Sequence, residues 1–279
     1  MERNVKNENQ FTKSEQKKVP DIYDSVSEVL DTLHKLNFGK SNLIIGIDVT
    51  RPNIIETKKK SKKDVKNDEE RPYEYFMDDF VEVLSIVSEG LIKYDDDQLI
   101  PLYAFGGKHK EVINMKSHLT GDVTLDECRG LDDAVRTYKS DIKNLVSDGV
   151  SNFRVMLEEV RNIMMKCEKE YHILIILTHG QVSKKEDYKK TKELIKKLCK
   201  YPLSIVTIGI GDNKYDEFRT MLEFDDDLKG RKFDNFQFVD YVDIKEKNEG
   251  REARQEKLLL EILREIPVQY SYLKEHSMI

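Results

Sequence analysis

From position 22 the apolar residues Ile22, Val26, Val29, Leu30, Leu33 and Leu36 recur every three or four positions. That spacing predicts a helix, opened by Asp21 as cap and ended by Phe38-Gly39. Leu43 to Ile47 is a continuous apolar run that stops at Asp48, the pattern of a strand buried on both faces. Helical spacing returns at Phe76, Phe80, Val83, Leu84, Val87 and Leu91. Leu99 to Phe105 predicts a second strand, with Pro101 near its start or on an irregular edge. Further on, helices are predicted over Leu131–Leu145, Phe153–Cys167 (with Val160, Ile163 and Met164 inward), Asp187–Lys200, Lys214–Leu222 and Ala253–Ile266. The last is stopped before Pro267. Strands are predicted over Ile173–Leu177, Leu203–Ile208 and Phe236–Val239. Strand and helix alternate, and four strands read as unbroken apolar runs. The fold class expected is therefore α/β: a Rossmann-like, doubly wound, mostly parallel sheet flanked by helices.

The remaining segments are polar. Residues 1–20 read as a flexible N-terminal arm and residues 21–279 as one domain. Within it, residues 56–71 (ETKKKSKKDVKNDEER) lack apolar periodicity and read as a lysine-rich loop insertion.

Charge narrows the function. Lys and Arg total 47 against 53 Asp and Glu, a net charge of −6, which argues against a nucleic-acid partner. No apolar stretch approaches the roughly 20 residues of a membrane helix, so no membrane insertion is expected. The opening residues lack a signal-peptide core, and three scattered cysteines form neither a disulfide framework nor a C-x-x-C metal half-site. Idle thiols in a cytoplasmic protein are the simplest reading.

In an open parallel sheet the ligand site lies beyond the carboxyl ends of the strands. That rule selects Asp48-Val49-Thr50, Thr178-His179-Gly180 and the loop from Asp148 to Asn152. Each has a structural alternative: Ser151 as a helix cap, Thr50 in a turn, His179 as a hydrogen-bonded rim residue. Asp48 needs a cation or several donors, because it follows a buried strand directly. Magnesium, a hard ion that keeps several waters, is the economical partner. Gly209-Ile210-Gly211 lacks the rest of a phosphate-binding fingerprint and reads as a strand-ending turn. No acid–base partner accompanies Asp48, so no enzyme is expected; a phosphohydrolase is the minor alternative.

The stretches SNLIIGIDVT, QLIPLYAFGG, GVSNF, YPLSIVTIGIGD, FDNFQFVDY and EIPVQY resemble, in order, the copine-type von Willebrand factor A domains. Those of the plant RING-domain ligases are especially similar. The resemblance implies a Rossmann-like sheet with a metal ion-dependent adhesion site at its upper edge. By that likeness Asp48 and Thr50 match the first two ligands and Ser151 stands at the Thr position. Pro52 replaces the second Ser, and His179 replaces an Asp that accepts hydrogen bonds from metal-bound water. Proline offers no ligand atom and imidazole removes an anion, so weak divalent-cation binding is expected. The two calcium- and lipid-binding domains of copines and the RING of the plant ligases have no counterpart in these residues. Neither C2-type calcium-dependent lipid binding nor ligase activity is therefore expected to carry over. The function implied is a protein-interaction module acting through a degenerate metal site, with a metal-independent interaction scaffold as the alternative.

Overall fold

The computed structural model describes residues 22–50, 77–95, 97–106, 111–145, 152–167, 169–180, 185–211 and 218–279. The expected arm (1–20) and lysine-rich insertion (56–71), together with Pro52 and Ser151, lie outside these residues.

Five parallel strands form the body of the sheet: β1 (Asn42–Asp48), β2 (Leu99–Phe105), β5 (His172–Thr178), β6 (Leu203–Gly209) and β7 (Phe236–Asp240). Two short antiparallel strands, β3 (Ile113–Asn114) and β4 (Glu127–Arg129), pair with successive parts of the outer edge of β2. The spatial order is β3-β2-β1-β5-β6-β7, with β4 beside β2. Pro101 sits on β2 opposite Glu127 of β4, before the β1 pairing begins at Leu102. The ring thus costs no hydrogen bond to the central strand.

Alternation within the apolar strands divides the core in two. Leu43, Ile45 and Ile47 of β1 and Ile173, Ile175 and Leu177 of β5 face one way. They pack on α1 (Val26–Lys35), α2 (Met77–Leu91), α4 (Gly130–Asp141), α9 (Arg251–Leu263) and α10 (Ile266–Glu275). Ile44, Leu174 and Ile176 face the other way, onto α5 (Phe153–Met164), α6 (Lys185–Leu198) and α7 (Arg219–Asp226). An uninterrupted apolar run is what a strand needs when both faces meet helices. Gly46 makes room for Met156, whose Sδ would lie 3.0 Å from a Cβ there.

Several local expectations shift. Ser25 caps α1, its hydroxyl accepting from Glu28 N–H. The helix closes at Asn37, in the left-handed region at φ 53°, with Phe38 N–H bonded to Leu33 O at 2.9 Å. Asn37, not Gly39, thus makes the terminating turn. Asn152 stands at the N-cap of α5 without a side-chain bond; Ser151, read as a possible cap, lies outside the described residues. Ile163 is only partly buried, and the inner face of α5 is Phe153, Met156, Leu157, Val160 and Met164. Pro267 opens α10 as well as following α9: its missing N–H falls in the first turn, where no partner exists. The short elements β3, α3 (Met115–Thr120), β4 and α8 (Tyr241–Lys247) were not expected from the periodicity, because each is too short to establish a period.

Candidate functional site

The chain runs from β1 outward to β2, then returns to place β5 on the other side of β1. The carboxyl ends of β1 and β5 therefore flank the switch in strand order, where a doubly wound sheet opens a crevice. Asp48 stands at the first end and Thr178 at the second.

Asp48 is 2% exposed. Its Oδ1 accepts from the Thr50 hydroxyl at 2.6 Å and from Thr50 N–H at 3.0 Å. Its Oδ2 accepts from the Thr178 hydroxyl at 2.8 Å, and Thr178 Oγ accepts from Gly180 N–H at 3.2 Å. Charge-assisted bonds of this length hold the buried carboxylate in one orientation. The strand tips are tied by Val49 N–H to Phe105 O at 2.9 Å and Ile210 N–H to Thr178 O at 2.7 Å.

Gly106 completes the cradle. Its φ is +82°, and a Cβ there would lie 2.6 Å from Thr50 Cγ2 and 2.9 Å from Asp48 Oδ1. Only glycine lets the backbone after β2 come this close to the carboxylate. Phe105 packs edge-on against Phe153 (centroids 5.4 Å apart), which seats the start of α5 beside the same corner.

His179 follows Thr178 and is buried at the rim, its ring edge-on to Phe80 at 6.2 Å. Phe80 in turn stacks on Tyr138 of α4. The structure thus brings Asp48 and Thr50 together with Thr178 and Gly106, places His179 next in chain, and does not describe Ser151 or Pro52. Thr178 and Gly106 are the contributions that sequence reasoning left out of the ligand set. The available signals were the hydroxyl residue ending the Ile/Leu strand and the AFGG turn.

The donors around Asp48 are hard oxygens: one carboxylate and two hydroxyls. That chemistry fits a small divalent cation that retains much of its water, and suits zinc or copper poorly.

Other residues drawn on for the resemblance have structural work. Asp234 of the FDNF stretch pairs with the buried Arg231 at 2.5 Å. Arg231 also donates to Asp225 O at 2.7 Å, and Asp225 Oδ2 accepts from Phe238 N–H. In EIPVQY, Gln269 links Glu265 to Ser204, which bonds Tyr171. Gly209 leaves space for Phe218, whose ring would meet a Cβ at 2.8 Å, so this glycine serves packing. Asp240, at the end of β7, caps α8 by accepting from Asp243 N–H at 3.1 Å.

A parallel sheet between helices, with an Asp-x-Thr segment leaving the central strand at the switch point, defines a von Willebrand factor A-type domain. Residues 73–279 match the copine family model, and the chain belongs to that family. It is 32% identical over 266 residues to the E3 ubiquitin-protein ligase RGLG2 of Arabidopsis thaliana, covering 91% of this chain and 54% of that protein. To copine family protein 1 of Caenorhabditis elegans it is 30% identical over 258 residues, covering 90% of this chain and 22% of that one. The chain therefore spans about half the plant relative's length. Among solved structures, the PilB minor pilin from Streptococcus sanguinis superposes with a TM-score of 0.50 at 13% identity, over 83% of this chain and 62% of that one. Domains of this family are in general protein-interaction modules.

Proposed function

We propose that this chain is a protein-interaction module that takes its partner over the carboxyl edge of the sheet, around Asp48, through a degenerate metal ion-dependent adhesion site. The observation that carries the reading is a carboxylate 2% exposed at the topological switch point, held by Thr50 and Thr178 and left accessible to backbone approach by Gly106. Asp48, Thr50 and Ser151 would hold the cation, magnesium by preference, with Pro52 and His179 lowering its affinity. The cation would supply a positive centre that a partner carboxylate can complete. Asp48 and the two threonines orient that centre, and Phe80 confines His179 at its rim.

A second reading rests on the same bonds. Both oxygens of Asp48 already accept hydroxyl donors at 2.6 and 2.8 Å, which satisfies a buried carboxylate without an ion. In that case the edge is a metal-independent scaffold. Calorimetric titration with magnesium and manganese separates the two. Heats that vanish in Asp48→Ala support the metal-bridged module; their absence, together with partner capture unchanged in excess chelator, supports the scaffold.

The reading proposed is of binding rather than catalysis: the groups the described residues set on Asp48 are the hydroxyl donors Thr50 and Thr178 and backbone N–H. The ligase activity named for the plant relative belongs to a protein of nearly twice this span. A cytoplasmic location is in keeping with the free cysteines. Among the described residues no helix is long and apolar enough to cross a membrane.

A further inference from the structure

At the opposite end of the sheet, the chain from the end of α5 to the first residue of β5 carries three unlike donors. The ligand atoms of Cys167, Glu170 and His172 all lie within 4.8 Å of one another. They line one cleft of about 650 Å³ at the amino ends of β1, β2 and β5. We propose that Cys167, Glu170 and His172 form a binding site for a divalent metal ion of the zinc class, independent of the Asp48 edge.

The geometry supports this in three ways. First, His172 is 3% exposed and its ring is fixed: Nδ1 donates to Glu170 O at 2.8 Å, which leaves Nε2 as the lone-pair nitrogen. A backbone carbonyl on the other ring nitrogen is the usual way a metal-ligating imidazole is oriented.

Second, a donor already bridges the acceptors. Asn42 Nδ2 lies 2.9 Å from Glu170 Oε2 and 3.4 Å from His172 Nε2. An N–H₂ group held between a carboxylate and an imidazole lone pair occupies the place a cation would take. Coordination requires only that this amide swing aside.

Third, the donor set selects the metal. Thiolate, imidazole and carboxylate together favour zinc over magnesium or calcium, and three protein ligands leave the fourth tetrahedral position to water. In such a shell the ligand atoms stand about 3.3–3.6 Å apart. With the ligand atoms already within 4.8 Å of one another, the site need contract by no more than about 1.5 Å, a movement within reach of the exposed Glu170 and the half-buried Cys167 while His172 stays fixed. The carboxylates of Asp97 and Glu127 share the cleft, against the amines of Lys40 and Lys169. On binding, the Cys167 S–H bond breaks, the sulfur lone pair forms the metal bond and the proton leaves to solvent.

The test uses the full 279-residue chain with cobalt(II) as a spectroscopic probe and zinc as the competing ion. Cobalt should give a thiolate charge-transfer band in the near ultraviolet and the strong visible bands of four-coordination. Both should vanish in Cys167→Ser, whose fold is checked by circular dichroism. His172→Ala should weaken zinc binding at least about 100-fold, the upper end of what even outer-shell losses cause. In the unaltered chain, zinc should slow iodoacetamide alkylation of Cys167, since Cys128 and Cys199 are buried. Asp48→Ala should change none of these readings. No charge-transfer band in the unaltered chain, or a band that survives in Cys167→Ser, overturns the proposal.

Discussion

Replacing Thr178 by valine keeps the side chain's shape and deletes one hydroxyl, the group that donates to Asp48 Oδ2 at 2.8 Å. Thr178 is fully buried and Asp48 is 2% exposed, so water does not readily replace the lost donor. A hydrogen bond to a charged group is worth about 1.5–3 kcal/mol. The Gly180 N–H also loses its acceptor, but it lies toward the surface, where solvent can restore part of the bond. The expected destabilisation is therefore about 2 kcal/mol, or about 4–8 °C in Tm for a domain of this size. The assay is urea unfolding in excess chelator, run as a double-mutant cycle with Asp48→Asn. Because the two side chains are in contact, their effects should not add, and the coupling should be about 1.5–3 kcal/mol. A coupling below about 0.5 kcal/mol, the range of independent sites, would refute the account of Asp48 as a desolvated carboxylate that depends on Thr178.

Two further substitutions test neighbouring parts of the argument. Gly106→Ala forces a side chain into φ +82° and sets a Cβ 2.6 Å from Thr50 Cγ2. The expected loss is about 2–4 kcal/mol by chemical denaturation, and a neutral result would show that the loop after β2 gives way freely. Asp95 accepts from Leu43 N–H at 2.7 Å and Gln98 N–H at 2.8 Å. Burial, helped by the Asp97 charge and opposed by those two bonds, pushes its carboxyl up to about 6. The unfolded chain loses that proton near pH 4, about the ordinary aspartate value, so the residue's stabilising contribution is full below that pH and fades as pH rises through about 6. Relative to Asp95→Asn, which cannot titrate, the unaltered protein should lose stability between about pH 4 and pH 7, read as urea midpoints. Parallel pH profiles for the two proteins would count against this titration.

Much of this molecule was legible along the chain, and for one reason. Strands β1, β5 and β6 are covered on both faces, so their apolar runs are unbroken and predicted them to within a residue at either end. The long helices carried their own period. That pattern, with the rule for open parallel sheets, was enough to place Asp48 at a crevice. The positions that went astray depend on non-local partners. The close of α1 is the local exception: Asn37 rather than Gly39 takes the left-handed turn, with Phe38 N–H bonded five residues back to Leu33 O. Strands β3 and β4 exist only because the outer edge of β2 is there to pair with them. Thr178 joins the site because β5 lies beside β1, bringing its hydroxyl within reach of a carboxylate 130 positions earlier. Gly106 matters because the turn after β2 crosses that same carboxylate. Cys167, read in isolation as an idle thiol, has its sulfur within 4.8 Å of ligand atoms of Glu170 and His172 because of the conformation of the turn before β5. Local periodicity is written into the order of side chains, since each residue's face follows from its neighbours. Which hydroxyl, carboxylate or imidazole meets which is decided by strand order and register, and only the folded chain fixes those.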